Sequence, residues 1–158
     1  MKTTVALTAL LPLAAMFAAG CASPAPAIPF KPVADTKTLM NATIDTSADL
    51  IWDAVGTIIT LEGTKELRPQ SEEDWMKVRN GAVTLAESGN LLMMVTRARD
   101  ANEWMKASQA LIETSEAAIR AADARNPDAL FDAGADIYAS CTNCHQKYAL
   151  EIRSFDRQ

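Results

Sequence analysis

The sequence predicts an all-α fold, an antiparallel up-down-up-down four-helix bundle. Three observations carry that expectation. Apolar residues recur in steps of three and four through four long stretches, no stretch sustains strand alternation, and the intervening loops are short. The chain has 158 residues, a net charge of −5, 49% hydrophobic residues, three Cys and one His. That length makes one domain with a single core. A pI near 4.9 with no basic run excludes electrostatic binding of nucleic acid. Three cysteines are too few for a disulfide scaffold, and one histidine excludes any site built from two.

Residues 1–20 read as an export signal. Lys2 supplies the positive end, Val5 to Phe17 is apolar apart from Thr8 and Pro12, and the small run Ala18-Ala19-Gly20 precedes Cys21. The apolar run is short for a membrane span of about 20 residues. Ala18-Ala19-Gly20-Cys21 resembles the lipobox of bacterial lipoproteins, with Ala18 standing where that motif usually has Leu, Val or Ile. The resemblance implies lipidation of Cys21; the alternative is ordinary cleavage nearby, leaving a soluble periplasmic protein with an odd cysteine. Both place the chain outside the cytoplasm. Ala22 after a lipidated cysteine favours the outer membrane by the usual enteric sorting rule. Without residues 1–20, 14 basic residues face 20 acidic ones, the composition of a solvated surface.

Residues 21–35 hold Pro24, Pro26, Pro29 and Pro32 among small residues, an extended tether that packs poorly. The helical domain is expected over residues 36–158. Its first stripe runs Met40, Ile44, Ala48, Ile51, Val55 and Ile58, and Gly63 and Pro69 break it between Leu61 and Gln70. Ser71 starts a second helix with Asp74 in capping-box position and a seam of Trp75, Val78, Ala82, Leu85, Gly89 and Leu92. A third helix runs from about Asp100 to Arg125, with Trp104, Ala107, Leu111, Ser115, Ile119 and Ala122 on one face. Asn126-Pro127 closes it and opens the last, since Pro is tolerated in a first helical turn. The last stripe is Leu130, Gly134, Ile137, Cys141, Cys144 and Tyr148. Four helices of roughly 20–25 residues would each span ~30–38 Å. The three tryptophans lie at or beside apolar stripes and read as core rather than as electron-tunnelling residues.

Cys141-Thr142-Asn143-Cys144-His145 is C-x-x-C-H, the attachment signature of c-type haem. Two thiols add across the two vinyl groups of haem, and on a helix positions 141, 144 and 145 share one face. His145 is thereby presented to the iron as proximal ligand. A zinc site would want four ligands, and the only other cysteine is Cys21 across the tether. A thioredoxin-type motif would follow a strand, and none is visible. A disulfide across four helical residues would staple almost nothing. Arg120, Arg125 and Lys147 are candidates to neutralise haem propionates.

A C-x-x-C-H late in the last helix of a bundle, followed by an aromatic, resembles the class II cytochromes c, the cytochrome c-prime family. The likeness covers about residues 36–155 and is sharpest over Cys141-Thr142-Asn143-Cys144-His145-Gln146-Lys147-Tyr148. It implies a C-terminal haem-attachment helix, one covalent haem c and a distal face covered from the first helix, and it admits an antiparallel homodimer. The matching stretch is Thr38-Leu39-Met40-Asn41, which makes Met40 the distal candidate. A shift of one residue would put Leu39 over the iron instead. Tyr148 is expected near the haem with its hydroxyl on a partner. Five-coordinate members commonly carry Arg after that aromatic; here Ala149 follows Tyr148.

Electron transfer is the leading reading: a lipid-tethered periplasmic monohaem cytochrome, not an enzyme, serving redox partner proteins and meeting the membrane only through its anchor. The alternative is a five-coordinate haem protein binding NO or CO. A peroxidase would want a distal acid-base residue, and no His remains once His145 is used. A haem-free bundle is the residual case. By default Met76, Met93, Met94 and Met105 fill the core.

Overall fold

A computed structural model of the chain describes residues 30–155, with side chains as far as Ala149. The signal segment 1–20, Cys21 and the tether up to residue 29 lie outside the described residues. The folded unit begins at Pro32. Its elements are α1 (Thr36–Leu39), a π-helical turn (Met40–Ile44), α2 (Asp45–Trp52), β1 (Gly56–Thr60), β2 (Gly63–Leu67), α3 (Glu72–Leu92), α4 (Glu103–Asp123) and α5 (Pro127–Phe155). No described helix is long and apolar enough to cross a membrane.

Local chemistry explains the helix ends. Asp35 Oδ1 accepts from the Thr38 amide at 2.7 Å and starts α1. Ser71 and Asp74 form the reciprocal capping box that opens α3, each accepting the other's backbone N–H at 3.1 Å. Asn126 Oδ1 accepts from the Ala129 amide at 3.0 Å, and Pro127 begins α5 where its missing N–H costs nothing.

The core is drawn mainly from the predicted stripes, although in α4 Ala118 is buried and Ile119 of the expected stripe is only partly so. Ala48 and Ile51 of α2, Val78, Ala82 and Leu85 of α3, Leu111 and Ala118 of α4, and Leu130 and Ile137 of α5 are all buried. α3 packs along α4, α4 along α5, and α2 against both α3 and α5. Small residues set the closest approaches. A Cβ on Gly89 would overlap Ile112 Cγ1 and stand 2.8 Å from the Ser108 carbonyl oxygen.

The all-α expectation needs one correction, because the first helix does not continue through Ile58. It stops at Trp52, and residues 56–67 form an antiparallel hairpin with Gly56 opposite Leu67 and Thr60 opposite Gly63. Two features override the helical spacing. Gly56 (φ +146°) and Gly63 (φ +142°) adopt backbone angles that favour glycine. Between them Thr57-Ile58-Ile59-Thr60 is wholly β-branched, the residue type that suits a pleated strand. Val55 is still buried, but Ile58 and Ile59 are exposed. The third helix is also shorter than expected, with Asp100 and Arg125 outside it. Nor does Met76 fill the core: it is 56% exposed.

Candidate functional site

α5 carries Cys141, Cys144, His145 and Tyr148 into one region, as the spacing of three and four requires. Cys141, Cys144 and Tyr148 are half-buried, and His145 is exposed. Burial pushes the pKa of both thiols above the ordinary value. That shift favours the neutral thiol form of both. Among the described residues no group of three or more His, Cys, Asp or Glu gathers as a site for a bare ion.

Two cavities meet at this motif. One, of about 540 Å³, is walled by Ile44, Ala48, Trp52, Leu92 and Leu111, with Cys141, Cys144 and His145 on its α5 side. The other, of about 690 Å³, lies toward the start of α1 and is lined by Lys37, Arg97, Arg99, Trp104 and Tyr148. Met40, Cys144, His145 and Ala149 line both. Both volumes fall in the range of cofactor sites, roughly 300–1,000 Å³.

Met40 thus shares its two hollows with His145. Leu39, one residue earlier, is 4% exposed, belongs to the core and lines neither hollow. The backbone is unusual at this point. Met40 opens the π-helical turn, and its carbonyl accepts from the Asp45 amide five residues on. Such turns are rare and concentrate at functional sites.

Tyr148 is held on two sides. Its ring meets Trp104 edge-on, with centroids 5.0 Å apart and planes at 77°. Its hydroxyl donates to Asp100 Oδ2. Asp100 Oδ1 also accepts the amides of Asn102 at 2.9 Å and Trp104 at 3.1 Å, so three donors converge on one carboxylate. These bonds, the Tyr148 hydroxyl first, lower the Asp100 pKa to about 2. Burial, and then the bond to the ionised Asp100, raise Tyr148 to about 12. Trp104 itself is buried and donates from Nε1 to the Leu92 carbonyl at 2.8 Å. Trp52 does the same to the Gly134 carbonyl at 2.9 Å.

Two of the three cations named from sequence stand elsewhere. Arg125 pairs with Glu72 at the beginning of α3, and Arg120 lies 3.8 Å from Glu116 on its own helix. Neither lines a cavity beside the motif. Lys147 is close in sequence but lies over the Tyr148 ring, 5.5 Å from its centroid. The cations that do line the larger cavity are Lys37, Arg97 and Arg99, and sequence reasoning missed all three. Asp100 was missed as well. Nothing in the run Thr96-Arg97-Ala98-Arg99-Asp100 marks it as other than a polar connection. Comparison with known protein families, curated proteins and solved structures finds no match for the chain.

Proposed function

We propose that this chain is a monohaem c-type cytochrome of the class II kind, carrying single electrons outside the cytoplasm and tethered there through Cys21. The observation that carries the reading is the lining of the two hollows: two thiols, one imidazole and one thioether share a largely apolar space. That donor set fits a haem held by thioethers to Cys141 and Cys144. His145 would supply the proximal nitrogen and Met40 the distal sulfur. Bound haem supplies the one-electron couple, and thioether ligation favours the ferrous state relative to bis-histidine ligation.

The protein's own residues do the rest. Ile44, Ala48 and Leu111 give the smaller hollow an apolar wall, and low polarity there would disfavour the extra positive charge of ferric iron. Asp100 and Trp104 fix the ring of Tyr148 one turn beyond His145. The packing of α2, α3, α4 and α5 on one another supports an antiparallel up-down-up-down arrangement. Burial of Leu39 outside the hollows favours Met40 ligation over an open distal face that would bind NO or CO.

The test is an optical and EPR spectrum of the protein matured in a host with c-type haem assembly. A low-spin ferric spectrum with a weak far-red sulfur-to-iron band is expected, and Met40→Ala is expected to turn it high-spin. A spectrum unchanged by that substitution sinks the distal assignment. A high-spin wild type that shifts when CO meets the reduced form makes gas binding the function.

A further inference from the structure

Arg97 carries a charge whose surroundings do not balance it. The residue is 8% exposed. Nε and Nη2 donate to the Ala34 carbonyl at 3.3 and 2.9 Å. Nη1 donates to the Leu91 carbonyl at 3.2 Å and to Met94 Sδ at 3.1 Å. These are neutral acceptors. Among the described residues no carboxylate pairs with Arg97, although six other basic side chains have one. A buried guanidinium with its donors partly met but its charge uncompensated is costly unless an anion completes the site. One of its five N–H groups also remains beyond the four contacts made.

Its neighbours have the same sign. Lys37 and Arg99 line the same hollow, and Asp35 is the one acid there. Its carboxylate accepts from the Thr38 amide and makes no ion pair with Arg97. The hollow therefore combines an aromatic wall, Trp104 and Tyr148, with a cationic wall, and Cys144 and His145 lie on its border. An amphipathic anion, with its charged end against Arg97 and an apolar body against Trp104 and Tyr148, matches that lining.

We propose that Arg97, flanked by Lys37 and Arg99, is the seat of the haem's carboxylates, so that the propionate edge occupies the larger hollow and the apolar body of the ring the smaller. This rests on the reading of the chain as a haem protein. Arg suits the role because its one uncommitted N–H can donate to a carboxylate while its permanent, delocalised charge offsets the anion. The same residue ties the segment before α1, through Ala34, to the connection between α3 and α4.

The test compares the matured full-length protein with its Arg97→Gln and Arg97→Lys variants by redox titration and resonance Raman spectroscopy. Loss of the positive charge beside the haem disfavours the ferrous state. In Arg97→Gln the redox equilibrium is expected to move about tenfold toward ferric, a fall of ~59 mV for one electron. The Raman bands of the propionates are expected to shift with it, and Arg97→Lys to keep most of the potential. A purely structural guanidinium would lower thermal stability in both variants and leave potential and bands unmoved; that result overturns the proposal. Should Arg97→Gln fail to fold, Lys37→Gln and Arg99→Gln alter exposed side chains of the same hollow. A smaller fall in each supports the seat, and two unmoved potentials overturn it. A wild-type protein without covalent haem fails differently, because it removes the haem reading itself.

Discussion

Tyr148 and Asp100 show how one side chain acquires two anchors beside the C-x-x-C-H motif. The hydroxyl needs an acceptor once its ring is packed on Trp104, and Asp100 is in reach because two backbone amides already hold it in place. The pair has a definite pH signature. Asp100 titrates at about 2 in the folded chain against an ordinary 3.8, so its stabilisation is full above about pH 4 and lost as pH falls through 2. Tyr148 titrates at about 12 against an ordinary 10.0, so its share is full below pH 10 and lost as pH rises through 12. Tyr148→Phe is therefore expected to flatten the alkaline loss and weaken the acid one. Denaturant midpoints measured from pH 2 to 12 check this; identical profiles for both proteins would remove the pair from the stability of the fold.

At the scale of elements, the α3–α4 contact and the hairpin are opposites. Gly89 lets two helices approach until a methyl group has no room, since the nearest atoms include the Ser108 carbonyl oxygen. Gly89→Ala is expected to cost about 1–3 kcal/mol, read as a lowered urea midpoint with unchanged slope, as overpacking does elsewhere. The helix-propensity gain of Ala, roughly 1 kcal/mol, offsets only part of the clash. In the hairpin, Ile59 is 78% exposed and Leu61 entirely so. Leu61→Ser there is expected to change stability by less than about 0.5 kcal/mol, the usual range for exposed positions. A large loss at Leu61 would mean that the hairpin is covered in solution.

For the molecule as a whole, two adjoining hollows of about 540 and 690 Å³ leave room that the proposed haem would fill. Their walls include Leu92, Leu111, Trp52 and Trp104, side chains that lose dispersion contacts when only water faces them. A Cys141→Ser, Cys144→Ser protein, unable to attach haem, is expected to melt roughly 5–10 °C below the matured protein, about what a 2 kcal/mol loss produces. Calorimetry on both forms checks it. Equal midpoints would show that the hollows need no occupant, and would favour the haem-free bundle.

The sequence by itself determined the helical stripes, the capping box at Ser71 and the common face of Cys141, Cys144 and His145. Each follows from contacts within a few residues, where spacing along one helix fixes which side chains are neighbours. It also pointed to Met40 over the other methionines, although only by resemblance. The hairpin was legible in the β-branched run Thr57 to Thr60 between two glycines, yet the helical spacing of Val55 and Ile58 hid it. Only the tertiary structure brought Met40 to the hollows of His145, seated Leu39 in the core, and removed Arg120 and Arg125 from the neighbourhood of the motif. The same holds for Arg97 and Asp100. Their partners lie across the fold, Ala34 for one and Tyr148 for the other, and a pairing between distant segments leaves no periodic trace in the chain.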